Sequence, residues 1–329
     1  MDNKVITELK GEILLLDICL LGSGGGMPMP ERFLSSMVIG YNGRKILIDC
    51  GEGTQVAIRK MKTGFKFIDI ICITHDHGDH IFGLPGLLST IGNSDRIEPI
   101  TIIGPKGIKD IVNGLIFSMK YLPYEINIIE NPIEPLGINI SSKGMKIDNK
   151  ISFNTDIILS TLELEHSAPC LGYGFYITRK PKFYPEKAEL NKIPREIWRS
   201  LQNGETIIYN NQEYYPNMVL GEERKGIKLS YITDTRPIDK IVDFIRESTF
   251  FICEGTYGDN EDLDKAIKNK HMTFAEAGKL AYDGNVDELL LTHFSTAMNK
   301  PELYEGNVMN IFNNTTIGYD GFTKTIFFS

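Results

Sequence analysis

Along the chain, apolar runs of four to eight residues rich in Ile, Leu and Val alternate with stretches whose apolar positions recur at helical spacing. The short runs predict strands at Ile13–Leu20, Met37–Tyr41, Lys45–Asp49, Ile68–Ile73, Ile100–Ile103, Ile157–Leu164, Gly174–Thr178, Ile227–Thr233, Phe250–Glu254, Glu288–Thr292, Thr315–Tyr319 and Thr325–Phe328. Their β-branched content and flanking Gly, Pro or Asp favour strands over buried helix. The helical pattern predicts helices at Thr54–Lys62, Ile81–Ile91, Ile108–Lys120, Pro237–Glu247, Phe274–Tyr282 and Pro301–Phe312. Thr273-Phe274-Ala275-Glu276 has the form of a capping box, and Pro237 suits a first helical turn. Two β-rich halves with interleaved helices predict a layered α/β protein with two packed sheets. No linker-like stretch divides it, so 1–329 is read as a single domain.

One segment breaks the pattern. Between the strands near Phe175 and Ile227 lies a polar insertion, Tyr176–Glu205, with seven basic residues (Arg179, Lys180, Lys182, Lys187, Lys192, Arg195, Arg199) against four acidic ones. It also holds the sole tryptophan, Trp198. A net +3 here stands out because the whole chain carries 35 Lys and Arg against 43 Asp and Glu, a net charge of −8. The overall charge argues against a polyanionic partner, whereas the insertion reads either as a solvated loop and helix or as an arm that grips one. At 42% hydrophobic and 24% charged residues, the chain can bury a real core, which excludes disordered, collagen-like and coiled-coil classes. No apolar run approaches the ~20 residues of a membrane span, and Met1-Asp2-Asn3-Lys4 does not open a signal peptide. Five scattered cysteines without a CxxC pair fit a cytoplasmic protein with neither disulfides nor a thiolate zinc site.

The candidate chemistry lies in Thr74-His75-Asp76-His77-Gly78-Asp79-His80, directly after an apolar strand. Residues two apart on extended backbone share a side, so His75 and His77 can grip one ion, and a turn at Gly78 lets Asp79 and His80 face a second. Imidazole with carboxylate and no thiolate suits catalytic Zn²⁺, with Mn²⁺ or Fe as alternatives. Asp49 can hold a metal-bound His through its other ring nitrogen, or simply end its strand. Gly22–Gly26 lacks the GxxxxGK[ST] pattern and reads as a tight turn near the site.

This HxHxDH motif resembles the metallo-β-lactamase superfamily. Leu21–Pro28, Asp49–Gln55, Phe82–Leu87, Ile103–Gly107 and Asp234–Pro237 narrow the resemblance to the ribonuclease Z family of tRNA 3′-processing endonucleases, in order over nearly the whole chain. The resemblance implies the αββα sandwich of that superfamily, two packed mixed β-sheets flanked by helices, with an inserted basic arm. It implies two zinc ions per subunit, with His166 as third ligand of the first ion, Asp234 bridging and His293 completing the second site. It makes His271, paired with Glu254, the acid that protonates the leaving oxygen, and Asp79 the residue that both binds metal and orients or deprotonates the attacking water. It further implies precursor tRNA as substrate, with Lys182, Lys187, Lys192, Arg195 and Arg199 of the arm gripping it, and a homodimer. Read alone, His271 is a solvated residue before a helix.

Three departures accompany the resemblance. Cys253-Glu254-Gly255-Thr256 stands where the family commonly has His-Glu-Ala-Thr. His293-Phe294-Ser295-Thr296-Ala297-Met298 lacks a following Arg-Tyr, and the middle of the arm lacks a Gly-Pro-rich stretch. These bear on substrate grip more than on the metals. A two-metal phosphodiesterase for small or cyclic substrates is the alternative activity, and a metal-bearing binding protein without catalysis is a third reading.

Overall fold

The computed structural model describes residues 15–119 and 121–328, and the elements below are those of the described residues. The first two positions of the expected strand Ile13–Leu20, the last of the expected helix Ile108–Lys120 and the N-terminal tetrapeptide lie outside them.

Two mixed sheets pack face to face. The first contains β1 (Leu15–Gly22), β2 (Ser36–Tyr41), β3 (Arg44–Ile48), β4 (Ile68–Cys72), β5 (Ile100–Gly104), β6 (Ile126–Glu130) and, from the far end of the chain, β17 (Thr323–Phe327), in the order β17-β1-β2-β3-β4-β5-β6. The second contains β7 (Leu136–Ser141), β8 (Gly144–Asp148), β9 (Ile157–Leu164), β10 (Cys170–Ile177), β13 (Ile227–Ile232), β14 (Phe250–Glu254), β15 (Leu289–Thr292) and β16 (Thr315–Ile317), ordered β16-β15-β14-β13-β10-β9-β7-β8. Strands β3 to β6 and β13 to β16 run parallel, and the remaining pairs are antiparallel.

Alternate residues of both sheets, among them Ile18, Ile39, Ile70, Leu159, Tyr173, Leu229 and Leu290, form the core between them. The outer face of the first sheet is covered by α1 (Thr54–Met61), α3 (Leu84–Gly92) and α4 (Ile108–Ile116), and that of the second by α7 (Asp239–Ile245), α9 (Phe274–Asp283) and α10 (Glu305–Met309). Central strands covered on both faces must be apolar throughout. β14 (Phe-Phe-Ile-Cys-Glu) and β15 (Leu-Leu-Leu-Thr) are buried at every position. Asp69 of β4 is a buried charge among them, and it is neutralised by Arg44 and by Arg96, whose Nη2 lies 2.8 Å away.

The structure departs from the expected elements in identifiable places. β6, β7 and β8 were not expected, because β6 and β8 are edge strands and β7 lies next to an edge, and their half-exposed faces carry Asn, Glu and Lys. The expected helix Ile81–Ile91 is broken at Phe82-Gly83 into a single turn, α2 (Gly78–Ile81), and α3, since a Cβ on Gly83 would lie 2.1 Å from the Gly51 carbonyl. Pro301–Phe312 is a 3₁₀ turn, Pro301–Tyr304, followed by α10. A helix α8 (Leu263–Asn269) precedes α9.

The inserted segment runs on past Glu205. It contains α5 (Pro185–Leu190), α6 (Trp198–Gln202) and a hairpin of β11 (Ile207–Tyr209) and β12 (Gln212–Tyr214), and it rejoins the sheet only at Ile227. The extension follows from packing, because Tyr214, Val219 and Leu220 close a small core of the segment's own over Ala188, Ile193, Ile197 and Leu201. The extra stretch adds Arg224 and Lys225 but also Glu213, Glu222 and Glu223, so the net charge of 178–226 is +2 rather than +3.

Candidate active site

Six polar side chains follow the C-terminal ends of six strands and converge at one end of the sandwich: Asp49 after β3, His75 after β4, His166 after β9, Asp234 after β13, Glu254 at the end of β14 and His293 after β15. Three of them adopt left-handed backbone, with φ of 56° at Asp49, 45° at Asp234 and 58° at His293. That conformation ends the strand abruptly and turns the side chain across the sheet edge, and non-glycine residues held in it cluster at functional sites. His77 caps α2, whose single turn carries Asp79 and His80 into the same cleft.

The side chains form two adjoining groups. In the first, His75 Nε2 and His166 Nε2 lie 3.0 and 3.2 Å from His77 Nδ1, and both face Asp234 Oδ2 at 3.5 and 3.8 Å. In the second, His80 Nε2 and His293 Nε2 are 3.1 Å apart and lie 3.4 and 3.3 Å from Asp79 Oδ2. Asp234 Oδ1 stands 3.4 Å from His80 Nε2 and 3.2 Å from His293 Nε2, so its two oxygens face different groups. Both groups have ligand atoms close enough to share an ion.

The outward nitrogens are already engaged. His80 Nδ1 lies 2.7 Å from Asp49 Oδ2, His166 Nδ1 3.2 Å from the Lys270 carbonyl, and His75 Nδ1 3.1 Å from Thr74 Oγ1. Asp49 is buried and also accepts from the Thr74 N–H at 2.7 Å. Inward-facing imidazole lone pairs about 3 Å apart, framed by carboxylates, are a donor set for divalent cations.

The electrostatics agree. Burial pushes His75 well below its ordinary value, helped by His80. Burial opposes the charged forms of Asp234 and Asp79, but the facing histidines hold both carboxyls well below the usual range. His80 is raised despite burial because Asp234 and Asp49 flank it.

Beside the second group, His271 Nδ1 is 3.2 Å from both oxygens of Glu254. Glu254 is fully buried and accepts from the Thr235 N–H (2.7 Å), the Met272 N–H (3.1 Å) and the Thr256 hydroxyl (2.5 Å). Burial would lower His271, but the Glu254 charge and hydrogen bond, with Asp234, raise it to about 9. Burial would raise Glu254, and His271 holds it below its ordinary value instead. Arg236 fixes this loop, donating to the His271 carbonyl at 2.5 Å while paired with Glu276, itself half of the Thr273 capping box.

The glycine turn reaches the same cleft. The Gly26 N–H donates to Asp79 Oδ2 at 2.6 Å, and a Cβ on Gly25 would fall 2.3 Å from the His293 ring. The structure thus brings together every residue expected at the metals and at the acid. It also adds some that sequence reasoning missed: Thr74, Thr256, Arg236, and Lys268 and Lys270, which line the cleft of about 350 Å³. A capping box and the Asp-Thr-Arg-Pro run were the signals for Arg236. Nothing local marked the lysines. The arm residues lie elsewhere: Lys182, Lys192, Arg195 and Arg199 are exposed, whereas Lys187 is half-buried and donates to the Leu220 carbonyl within the arm.

Among families, the model described as anti-Pycsar protein Apyc1 matches residues 16–183, a stretch that includes His75–His80 and His166 but ends before Asp234, His271 and His293. Ribonuclease Z of Alkaliphilus oremlandii is 64% identical over 95% of this chain and 99% of its own length. Ribonuclease Z of Clostridium beijerinckii is 60% identical over 96% and 99%. The crystal structure of the short form of human tRNase Z has the same fold, with a TM-score of 0.64 at 23% identity over 94% of this chain and 98% of that one. A long-form RNase Z from yeast gives 0.67 at 20% identity, covering 98% of this chain and 43% of that one.

Proposed function

The chain belongs to the ribonuclease Z family of the metallo-β-lactamase superfamily, and from that premise we propose that it removes the 3′ trailer from precursor tRNA, leaving a 3′-hydroxyl on the tRNA and a 5′-phosphate on the trailer. The observation that carries this reading is the pair of ligand groups joined through Asp234 with a carboxylate-backed imidazole, His271–Glu254, beside them. His75, His77 and His166 would hold one zinc ion and Asp79, His80 and His293 a second, with Asp234 between; Mn²⁺ or Fe suits the same donors. When bound, two such ions polarise a phosphoryl oxygen and activate water for in-line displacement.

The protein's own groups supply the rest. Asp79, ionised and oriented by the Gly26 N–H, aligns the attacking water. Asp49 fixes the ring of His80 through its outer nitrogen. His271 donates its proton to the leaving 3′-oxygen, and Glu254 holds the ring in the tautomer and charge state this requires.

The same reading makes the chain one domain with an arm that grips the tRNA, and it makes the working unit a homodimer. The topology supports both. The metal groups follow the end of β13 and flank the start of β10, whereas the arm leaves after Ile177 and returns before Ile227, at the opposite ends of those strands. Eight residues of β10 span about 26 Å, so an arm extending from there is better placed to serve a neighbouring subunit's cleft than its own. Among the described residues no helix is long and apolar enough to cross a membrane, and the reading places the protein in the cytoplasm.

Replacing 178–226 with a short linker and assaying precursor tRNA beside bis(p-nitrophenyl) phosphate, with and without chelator, tests the proposal. Chelator should abolish both activities, and arm removal should cripple only tRNA cleavage. An arm-less protein that still cuts precursor tRNA at full efficiency would refute the arm's role. A wild type that turns over only the small diester would favour the small-substrate phosphodiesterase.

A further inference from the structure

We propose that a pocket walled by Tyr257, Met298 and Tyr304, beside the acid pair, takes a nucleobase: that of the last nucleotide kept on the tRNA, whose 3′-oxygen is the leaving group. The inference rests on the reading of the chain as a precursor-tRNA nuclease with His271 as proton donor, and it adds a contact to the base at the cut.

The pocket encloses about 240 Å³ between the loops that follow β14 and β15. Thr256 and Tyr257 line it from the first loop, Ala297 and Met298 from the second, and Tyr304 closes it. It adjoins the metal cleft through Thr256, whose hydroxyl lies 3.2 Å from His271 Nδ1 and 3.1 Å from His293 Nδ1, two rings that line the cleft. The Tyr257 ring meets the His271 ring edge to face, with centroids 6.4 Å apart.

The walls are flat and held in place. The Tyr257 hydroxyl accepts from Asn269 Nδ2 at 2.6 Å. A Cβ on Gly258 would fall 2.4 Å from the Tyr304 ring, so that ring lies directly on the backbone, and Phe274 meets it edge-on at 6.5 Å. Met298 is buried, and its N–H donates to the Ser295 carbonyl at 2.9 Å. Asp262 and Lys265, the charged residues of the lining, pair with each other at 2.6 Å. Ala297 and Met298 belong to the run that lacks an Arg-Tyr pair, so no further cation enters from that side.

Two braced tyrosines, a polarisable thioether and no unpaired charge suit a neutral planar ring rather than a phosphate, because every base has a face that stacks on such surfaces. The volume falls short of the roughly 300 Å³ at which sites for drug-sized ligands begin, so the pocket admits one base and not a longer piece of chain. The metal cleft offers no such platform, since its lining contains no Phe, Tyr or Trp.

The position selects the nucleotide. In-line displacement sets the attacking water and the leaving oxygen on opposite sides of the phosphorus. Asp79 serves the water and His271 the leaving 3′-oxygen, so the ribose carrying that oxygen lies at His271. The base on the same ribose is then the one that reaches Tyr257. The first base of the trailer hangs from the other ester oxygen.

The test compares three precursor tRNAs: intact, abasic at the last tRNA nucleotide, and abasic at the first trailer nucleotide. Each is cleaved by the metal-loaded full-length protein and by Ala297→Trp and Tyr257→Leu. Wild type should lose about tenfold or more in kcat/KM on the tRNA-side abasic substrate. Ala297 is exposed, so Ala297→Trp plugs the pocket without removing packing. It should lower kcat/KM on the intact substrate by a similar factor and become indifferent to the tRNA-side base, the non-additivity that marks a contact. Tyr257→Leu should do the same and serves if the larger side chain disturbs the fold, which melting temperature and metal content report. A side chain that merely props His271 would slow intact and abasic substrates equally, and that outcome would overturn the proposal. So would a wild type indifferent to the tRNA-side base, or a penalty that the variants relieve only for the trailer-side base. Each of these leaves precursor cleavage itself standing, whereas a metal-loaded protein that cuts none of the three overturns the nuclease reading and the pocket with it.

Discussion

Glu254→Gln isolates the assignment of His271 as the proton donor. The native pair shifts His271 from its ordinary value of 6.5 to about 9, a difference worth about 3 kcal/mol at 1.36 kcal/mol per unit. Of the influences on that ring, burial lowers it and Glu254 is the chief one that raises it, so loss of the carboxylate charge should return His271 to its ordinary value or below. At pH 7.5 the protonated fraction would then fall roughly tenfold, and kcat for precursor tRNA with it. Bound metal lowers the ring in wild type and variant alike, so the robust quantity is the displacement of the alkaline limb of the pH–rate profile, by about 2.5 pH units toward acid.

The sign for stability runs the same way. His271 is raised, so the pair's contribution to the metal-free protein is complete below pH 6.5 and fades as pH rises through about 9, provided Glu254 stays ionised. The substituted amide also meets a donor where a carboxylate oxygen met one, because Thr235 N–H points at Oε1 and Met272 N–H at Oε2. One buried N–H loses its acceptor, costing about 1–3 kcal/mol in thermal unfolding. A Gln variant that is slow at every pH, with its alkaline limb unmoved, would refute the proton-donor assignment and leave Glu254 as a brace for two backbone amides.

Other perturbations bear on separate parts of the site. His271→Ala should slow precursor cleavage by about 10²–10⁴-fold while elemental analysis finds the metal content unchanged; loss of metal would make His271 a ligand. Gly25→Ala should displace His293, because the new Cβ would sit 2.3 Å from its ring, and metal stoichiometry should fall from two per chain toward one. Two equivalents in that variant would show that the turn gives way instead. Because Asp234 and Asp49 hold His80 above its ordinary value in the metal-free protein, metal binding at pH 7 should release at least one proton and tighten as pH rises. Calorimetry in two buffers of different ionisation enthalpy measures this, and zero release would contradict it. Lys268→Ala/Lys270→Ala should raise KM for precursor tRNA about tenfold with kcat little changed, since both line the metal cleft within reach of a substrate phosphate; an unchanged KM would leave them as bystanders.

The run His75–His80 was legible in the sequence because it directly follows an apolar strand, whereas His166, Asp234, His293 and the His271–Glu254 pair were reached through the family resemblance, each being an ordinary strand-end or pre-helix residue when read alone. Runs such as Ile68–Ile73 and Leu289–Thr292 announce themselves by composition, and a polar residue immediately after them falls at the sheet edge. The contributions that were not legible depend on contacts between distant segments. Gly26 is an ordinary turn glycine until its N–H meets Asp79, 53 positions away. Thr256 is an unremarked hydroxyl until the fold places it between Glu254 and the Nδ1 atoms of His271 and His293. Lys268 and Lys270 belong to the end of a short helix whose pattern was too brief to be recognised, and only its docking brings them to the cleft. The arm's full extent was hidden for a similar reason, because Tyr214, Val219 and Leu220 look like isolated apolar residues in a polar stretch until they close over Ala188 and Leu201.

We propose that His75, His77, Asp79, His80, His166, Asp234 and His293 would hold two metal ions and that precursor tRNA is cut in this cleft, at the 3′ end of the tRNA. Elemental analysis of the purified protein, run beside cleavage of end-labelled precursor tRNA with analysis of both new termini, tests it most directly. The account predicts two divalent ions per chain, a single cut yielding a tRNA 3′-hydroxyl and a trailer 5′-phosphate, and loss of both metal and cleavage with chelator. Cleavage by metal-free protein, or a fully metal-loaded protein that leaves precursor tRNA intact, would contradict it.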